Sequence, residues 1–244
     1  MGKKNTLLLL TAGTVVALLA HKVYPTQARQ IMVWAWKRPD ALSWATDDNV
    51  RVAVLLATFS ARNGDLSIDF RREPLDAAKD KVSTAVFRIE GYPETAAHIG
   101  PDIVSWISRL SAPRRFERIQ IDFDARISQR GWYTTFLGQL RSTISDHTKL
   151  EATALASWCR ERDSWIERLP VDEIIPMFFR MGPERSTIKQ LLSESPTSFS
   201  HKCRTNLGLS IDEPFELPRG AARIFLFNPR GWKPGDRSVL DSHR

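Results

Sequence analysis

The sequence predicts an α/β fold, and within that class a small or distorted (β/α)8 barrel of the TIM type. Apolar or alternating runs of strand length recur eight times along the 244 residues. Runs with helical periodicity separate several of them, and a strand–helix–strand repeat requires parallel pairing with right-handed crossovers. The run at 118–125, Arg-Ile-Gln-Ile-Asp-Phe-Asp-Ala, puts Asp122 and Asp124 on one strand face, as the active end of such a barrel requires.

Eight strands account for much of the chain between residues 31 and 228. Two connections fit the scheme poorly. Residues 61–80 contain an extra alternating segment around Ile68 and then a short helix, while 213–220, with two prolines, has no room for a helix. An incomplete or distorted barrel is therefore the main structural alternative. The predicted strands are 31–36, 50–60, 83–91, 118–125, 151–157, 173–179, 205–212 and 222–228.

Four helices are predicted between these strands, at 95–110, 128–145, 160–168 and 186–193. The helix at 128–145 has the clearest pattern, since four apolar residues recur every four positions and form one stripe. Ser128 is the expected N-cap of that helix. The residues of the stripe are Trp132, Phe136, Leu140 and Ile144.

The two ends of the chain differ in composition from its middle. Lys3 and Lys4 precede an uncharged apolar run at 7–20, which is shorter than the roughly 20 residues of a membrane-spanning helix. We expect residues 1–24 to be a signal peptide or a short N-terminal anchor. Residues 25–230 then form a single barrel domain, and 231–244 a polar, loosely ordered tail. This predicts an exported bacterial protein of the periplasm or cell envelope, with membrane contact only through an uncleaved anchor.

Charge and cysteine content narrow the function classes. The net charge of +7 is spread along the chain, which argues against a nucleic-acid partner. The predicted strands put Cys159 and Cys203 at opposite barrel ends, so two free, buried thiols are expected rather than a disulfide. The five histidines lack ligand spacing, and no nucleotide-binding or serine-hydrolase motif is present. Neither a metal ion nor another cofactor is therefore expected.

Reactive side chains in (β/α)8 barrels project from the carboxyl ends of the strands. The third and fourth predicted strands are neighbours, so Glu90, Asp122 and Asp124 are the predicted catalytic carboxylates. The alternative is that such charges only neutralise one another and that the tryptophans only fill the core. Arginines, tryptophans and other polar groups at the strand ends are the predicted substrate-binding residues, namely Arg88, Arg180, Trp34, Trp36, Trp158, Asp212 and Asn228.

Four segments resemble an uncharacterised bacterial family known only as domain-of-unknown-function family three-one-four-two. They are Gln-Ile-Asp-Phe-Asp-Ala at 120–125, Thr-Ala-Leu-Ala-Ser-Trp at 153–158, the block at 169–182, and Gly-Leu-Ser-Ile-Asp-Glu-Pro at 208–214. The resemblance spans residues 30–230 and is most specific at 171–182. It implies a barrel distantly similar to glycoside hydrolases and an exported protein, and it supplies no catalytic residues.

The fourth strand also resembles the chitinase-type pattern Asp-x-Asp-x-Glu, with one departure. Asp122 and Asp124 match the two aspartates, but Arg126 stands where the pattern has the proton-donating glutamate. Glu90 or Asp212 would then have to supply the acid, or the barrel hydrolyses nothing.

These observations together predict a glycosidase-like hydrolase that acts on a carbohydrate or envelope glycan by carboxylate acid–base chemistry. In this hypothesis Asp124 is the nucleophile or base, Glu90 or Asp122 is the acid, and Arg180 orients the substrate. The alternative is a non-catalytic carbohydrate-binding or structural envelope barrel. The sequence leaves the oligomeric state open.

Overall fold

The computed structural model of the protein describes residues 29–160, 165–194, 199–213, 215 and 221–242. The expected signal peptide or anchor at 1–24 lies outside the described residues, as does most of the connection at 213–220. Within the described ranges, no helix combines the length and the apolar character needed to cross a membrane.

Eight parallel strands close into a barrel, which confirms the predicted fold class. Barrel strands pair in chain order, and the first pairs with both the second and the last. Each of the eight lies within a few residues of its predicted range. The described strands are β1 (Gln30–Ala35), β2 (Asp40–Ala41), β3 (Val50–Arg62), β4 (Asp65–Phe70), β5 (Leu75–Asp76), β6 (Val82–Gly91), β7 (Arg118–Asp122), β8 (Lys149–Leu155), β9 (Glu173–Met177), β10 (Asn206–Ser210) and β11 (Arg223–Phe227).

Three of these strands lie outside the barrel. β4 is the extra alternating segment of the sequence, and it pairs antiparallel with the end of the long strand β3. The hairpin turn consists of Asn63 and Gly64, whose positive φ angles of 53° and 85° suit a two-residue turn and are well tolerated by these residues. β2 and β5 form a separate two-stranded parallel sheet.

Four α-helices are described: α1 (Ile99–Ser111), α2 (Arg130–Thr143), α3 (Arg185–Glu194) and α4 (Arg237–Asp241). The first three correspond to predicted helices. The predicted helix at 160–168 is wrong over its described part, where the chain forms 3-10 turns at Ala156–Arg160 and Trp165–Arg168. The buried residues of the first turn, Ala156, Trp158 and Cys159, do not share one face of an α-helix.

The predicted N-cap of α2 is also wrong. Ser128 lies within a 3-10 turn, Ile127–Gln129, that precedes the helix. The side chain of Gln129 stabilises the start of this turn, because its Oε1 accepts a hydrogen bond from the Arg126 N–H at 3.0 Å.

The C-terminal segment is not the loosely ordered tail that its composition suggests. Trp232 is buried, and its backbone N–H donates to Asp40 Oδ1 at 2.9 Å. Its indole N–H donates to the Trp34 carbonyl in β1 at 2.8 Å. Leu240 in α4 is fully buried as well. Two apolar anchors in a polar stretch therefore fix the described part of this segment against the barrel.

The prediction of two free thiols is wrong, because Cys159 and Cys203 form a disulfide with a Cα–Cα distance of 6.0 Å. Cys159 does follow one barrel strand and Cys203 does precede another, in a 3-10 turn, His201–Cys203, before β10. The wrong step was to infer from these positions that the two residues are far apart. The region of Cys203 packs beside the turn of Cys159, where the Ser200 N–H donates to the Cys159 carbonyl at 2.8 Å.

Apolar side chains form two separate clusters. The larger one lies between the barrel and the outer elements and includes Ile119, Ile121 and Phe123, the apolar face predicted for the fourth barrel strand. The smaller one fills the barrel interior with Met32, Trp34, Ala53, Leu55, Val86, Ile175 and Phe225.

The amino-terminal end of the barrel, here called the base, holds a network of ion pairs. Glu151 is fully buried and accepts hydrogen bonds from Arg118 at 2.6 Å and from Arg223 at 2.9 Å. Glu173 pairs with the same two arginines, and the Asn206 amide donates to it at 3.0 Å. Each carboxylate at the base therefore contacts two guanidinium groups.

Gln120 links the base to the apolar interior. Its amide nitrogen donates to Glu151 at 3.3 Å, and its oxygen accepts a hydrogen bond from the Trp34 indole at 2.7 Å. Both polar ends of this buried side chain are thus satisfied, as burial in an apolar layer requires.

Candidate functional site

The carboxyl-terminal end of the barrel, here called the mouth, contains a pocket of about 230 Å³. Six of the eight barrel strands, or the residues directly after them, contribute to its wall, so most of the predicted strand ends do converge there. The lining residues are Trp34, Trp36, Arg88, Asp122, Asp124, Thr153, Leu155, Met177, Phe179, Arg180 and Phe227.

Asp122, at the end of β7, is the inner carboxylate of the mouth and is almost fully buried. Its Oδ2 accepts a hydrogen bond from Arg88 Nη1 at 2.7 Å, and its Oδ1 accepts one from the Thr153 hydroxyl at 2.7 Å. Arg88 Nε also donates to Glu90 Oε1 at 2.7 Å. Both oxygens of Asp122 are therefore engaged by donors, and a cation compensates its charge.

Arg88 joins two carboxylates that the sequence places on neighbouring strands. Burial lowers the pKa of Arg88, but the charges of Asp122 and Glu90 outweigh burial and raise that pKa above its ordinary value. Arg88 is thus a permanent cation that is ion-paired with both Asp122 and Glu90.

Asp124 is the outer carboxylate, two residues beyond Asp122, and it reaches solvent at the rim. Within the described part of the chain, it makes no hydrogen bond and no ion pair. Burial on its protein side is the main cause that raises the pKa of Asp124, and the charge of Asp122 raises it further against the opposing effect of Arg88. The two aspartates are two residues apart, yet Asp122 is paired with Arg88 whereas Asp124 has no such partner among the described residues.

Aromatic side chains form the opposite wall of the mouth. Trp34 is nearly buried and contacts Phe179 at a ring-centroid distance of 6.4 Å, so it mainly supports the wall. Trp36 is more open and lies 6.1 Å from Phe227, which stacks on Phe179 at 5.7 Å. Flat apolar faces of this kind are suited to the apolar faces of sugar rings.

Arg180 follows β9 and has a positive φ of 52°, which is unusual for a residue with a side chain. The Glu213 carboxylate stabilises this conformation, because it accepts the Arg180 N–H at 3.0 and 3.1 Å. The guanidinium lies 5.5 Å from the centre of the Phe227 ring, at the edge of the mouth. Strain of this kind is concentrated at functional sites.

Two further hollows adjoin the mouth. The first, here called the Lys37 hollow, has about 360 Å³ and shares Trp36, Arg88, Arg180 and Phe227 with the mouth. The second, here called the Trp158 hollow, has about 730 Å³ and shares Asp124 and Leu155 with the mouth.

The remaining predicted site residues divide between these places. Glu90 and Asn228 line the Lys37 hollow, and Trp158 lines the Trp158 hollow. The Asn228 amide donates to Asp236 at 3.0 Å, so it orders the local chain. Asp212 does not line the mouth or either hollow. It is exposed beyond the end of β10 and accepts a hydrogen bond from Ser210, because β10 ends at Ser210 rather than at 212.

Sequence reasoning missed several residues of the mouth. Thr153 and Phe227 lie on inward positions of their strands, and Phe179 continues the alternation two residues beyond the end of β9, so the test that found Asp122 would have found them too. Tyr133 does not line the mouth, and no sequence pattern singled it out. Its hydroxyl is buried without a hydrogen-bond partner among the described residues, and burial raises its pKa well above the ordinary value.

Arg126, at the position of the chitinase-type glutamate, extends away from Asp122. Its Nη1 donates to the Tyr92 hydroxyl at 2.8 Å, and its guanidinium lies 4.7 Å from the centre of the Tyr92 ring. It also lines the Trp158 hollow. Over the described ranges, no three His, Cys, Asp or Glu side chains are grouped so as to hold a metal ion.

Comparisons of sequence identify no relative. No protein-family model matches the chain, so the resemblance to the uncharacterised family stays a prediction. No curated protein matches it either.

Comparisons of structure do find similar folds. A chitinase from Rhizomucor miehei has a TM-score of 0.54 at 9% identity, with 87% of this chain and 99% of that chain covered. A provisionally assigned chitinase A from Streptomyces coelicolor also has a TM-score of 0.54 at 9% identity, with 88% and 95% covered. The spore cortex-lytic enzyme SleL of Bacillus megaterium QM B1551 has a TM-score of 0.52 at 12% identity, with 81% of this chain and 56% of that chain covered.

Identities this low establish the fold alone. The chain therefore has the TIM-barrel fold of glycoside-hydrolase-like proteins, in the form that these chitinase structures share.

Proposed function

We propose that the protein is an exported glycosidase-like hydrolase that cleaves a carbohydrate at the mouth of the barrel. The contrast between Asp122 and Asp124 carries this proposal. Asp122 is ion-paired with Arg88, and its neighbour Asp124 is unpaired among the described residues and has a raised pKa. A carboxyl group with a raised pKa beside a carboxylate paired with a cation is an arrangement suited to acid–base hydrolysis of a glycosidic bond.

In the proposed reaction Asp124 is the general acid. Its proton passes to the glycosidic oxygen as the bond from that oxygen to the anomeric carbon breaks. The Asp122 side chain stabilises the positive charge that develops on the sugar ring. A water molecule then attacks the anomeric carbon and gives its proton to Asp124, which restores the acid.

These roles differ from the sequence-based hypothesis, in which Asp124 is the nucleophile or base and Glu90 or Asp122 the acid. The reason is physical. Arg88 is ion-paired with both Glu90 and Asp122, whereas burial raises the pKa of Asp124. Asp124 has no such partner among the described residues.

We propose the periplasm or cell envelope as the place of action and an envelope glycan as the substrate class. The basic start and the apolar run at 7–20 support export. The disulfide between Cys159 and Cys203 supports it independently, because disulfides persist in oxidising compartments. The fold similarity to chitinases and to a spore cortex-lytic enzyme supports a glycan as substrate.

The test is release of reducing ends from a panel of polysaccharides by the mature protein and by Asp124→Asn. We expect loss of about 100-fold to 10,000-fold in the variant, the range of a positioned general acid. Asp146→Asn is the matched control, since Asp146 is exposed in the turn before β8, at the base. Release that persists in Asp124→Asn contradicts the proposal.

A non-catalytic carbohydrate-binding barrel is the second candidate, and Arg126 favours it. An arginine at the position of a proton-donating glutamate cannot donate a proton at neutral pH. Binding to a polysaccharide without any release of reducing ends would support this candidate over the hydrolase.

A further inference from the structure

The mouth and its two hollows form one continuous groove across the barrel. The Lys37 hollow takes residues from β3 and β6 and from the segments that follow β1, β9 and β11, while the Trp158 hollow lies beside the ends of β7 and β8. The mouth joins them, because it shares residues with each. The groove thus passes Asp124 on both sides, which suits a polymer rather than a single sugar.

Four arginines of this groove make no ion pair with any described carboxylate: Arg38, Arg126, Arg130 and Arg180. Apart from Asp124, whose pKa is raised, the acidic residues that line the mouth and the two hollows are engaged with other arginines. Arg88 pairs with Asp122 and Glu90, and Glu184 lies 4.0 Å from Arg160. Positive charge therefore remains uncompensated on both sides of Asp124.

The Trp158 hollow adds unused hydrogen-bond donors. The Arg130 Nε and the Trp165 Nε1 are buried, and neither has an acceptor among the described residues. The Arg130 guanidinium lies 4.7 Å from the centre of the Trp165 ring. Buried donors without acceptors are costly, and oxygen atoms of a ligand would satisfy them.

The Lys37 hollow, on the other side of the mouth, also has arginines that make no ion pair with a described carboxylate. Lys37 is occupied by Asp69 at 2.6 Å, whereas Arg38 is exposed and donates only to the Lys37 carbonyl at 3.0 Å. Arg180 lies over Phe227 at the border with the mouth. Guanidinium groups beside aromatic rings thus occur at both ends of the groove.

From this arrangement we infer that the glycan is an anionic polysaccharide whose sugars carry carboxylates, as uronic acids do. The inference rests on the proposed binding of a glycan at the mouth. Guanidinium groups bind carboxylates through paired hydrogen bonds, and aromatic faces accept the sugar rings between them. A neutral polysaccharide would leave the arginines on both sides of Asp124 without a counter-charge.

Binding measurements on matched polymers test this inference. The probes are polygalacturonate, alginate and hyaluronan, each beside its carboxyl-reduced neutral form. We expect at least one uronate polymer to bind about tenfold or more tightly than its reduced form, with affinity that falls as salt rises. Equal binding of the charged and reduced forms overturns the inference, as does failure of all three uronates to bind.

Variants test whether the arginines of the groove cause the preference for uronate polymers. We expect the double variant Arg126→Gln/Arg130→Gln to weaken uronate binding about tenfold or more. The matched control Arg109→Gln/Arg115→Gln removes the same charge from exposed positions on α1 and at the base. Arg38→Gln is a second probe at an exposed site, so misfolding of the first variant does not decide the result. Equal losses in groove and control variants overturn the inference.

Three further outcomes distinguish this inference from binding by charge alone and from the hydrolase proposal. A single-stranded oligonucleotide of equal charge that binds as tightly as the uronates overturns it, because charge alone would then suffice. Asp124-dependent cleavage of a neutral glycan without preference for uronates overturns it and leaves the hydrolase proposal intact. Uronate binding without cleavage supports it and removes the hydrolase proposal.

Discussion

The base and the mouth of the barrel contain the same kinds of side chain in different states of pairing. At the base, Glu151 and Glu173 each contact Arg118 and Arg223. At the mouth, Arg88 contacts Asp122 and Glu90, while Asp124 is left outside the described hydrogen bonds and ion pairs. An apolar layer with Trp34 and Phe225 separates the two ends.

This difference shows that an inward carboxylate is not by itself an indication of chemistry. The base arranges its charges so that each is neutralised, which serves the fold. The mouth leaves one carboxyl with a raised pKa, an arrangement typical of functional sites. The number of cations per carboxylate, rather than the presence of carboxylates, distinguishes the two ends.

The largest effect on stability is expected at the base. Glu151→Ala leaves Arg118 and Arg223 without their buried counter-charge, and we expect the free energy of unfolding to fall by about 3–5 kcal/mol. Urea unfolding measures this change. Glu117→Ala, at an exposed position just before β7, is the control. A loss below about 1 kcal/mol would mean that the base network is not structural.

Loss of the disulfide should have the second-largest effect on stability. Cys159 lies next to Trp158 and Arg160, which line the Trp158 hollow, so the bond constrains the mouth as ion pairs constrain the base. We expect Cys159→Ala/Cys203→Ala to reduce the free energy of unfolding by about 2–4 kcal/mol, since the bond closes a loop of 44 residues. Dithiothreitol should reproduce the loss in the wild type and leave the variant unchanged. A variant as stable as the wild type contradicts this expectation.

Removal of the Asp122 charge should have an effect on stability that lies below the effects at the base and at the disulfide and above the effect at Asp124. Asp122→Asn removes a charge that Arg88 and Thr153 engage, but Arg88 keeps Glu90 and has 34% of its side chain exposed. We therefore expect a loss of about 1–2 kcal/mol in the free energy of unfolding, less than for a fully buried pair. A loss equal to that of Glu151→Ala would mean that the ion pairs of the mouth stabilise the fold as much as those of the base.

The smallest effect on stability is expected at Asp124, and it should depend on pH. Because its pKa is raised in the folded protein, the folded state holds this proton more tightly than the unfolded chain. The free energy of unfolding then falls as pH rises from the ordinary aspartate pKa through the raised value. Asp124→Asn removes this fall.

Unfolding of Asp124→Asn and wild type across that pH interval checks the expectation. The variant should gain stability relative to the wild type as pH rises, and the difference should be constant below the ordinary pKa. Asp146→Asn, an exposed carboxylate, should show no such gain. A variant that loses stability as pH rises would contradict the raised pKa of Asp124.

The sequence predicted the site residues best where the strands that carry them have a regular alternating pattern. Alternation in β6 and β7 identified Arg88, Glu90, Asp122 and Asp124, and the structure brings Arg88, Glu90 and Asp122 into one network. Alternation failed for Asp212, whose carboxylate accepts a hydrogen bond from Ser210 and lines neither the mouth nor the two hollows. Asp124 and Asp212 each lie two residues beyond the end of a strand, so alternation continued past a strand end predicted the face in one case and not in the other.

Connections between strands were predicted less well. The disulfide and the burial of Trp232 both depend on segments whose conformation has no periodic signal. Their positions follow from the elements against which they pack, and those elements are distant in sequence. The same holds for the Trp158 hollow, which combines a helix start, a 3-10 turn and the end of β8.

The order of eight strands, the inward face of each and the chemical types at their ends are local properties, and the sequence alone determined them. Periodicity is repeated along the chain, so it can be recognised without knowledge of neighbours. Which carboxylate is paired and which keeps a raised pKa was decided only by the tertiary structure. Pairing depends on distances of a few ångströms between strands, and the pKa of Asp124 depends on how much solvent its neighbours exclude.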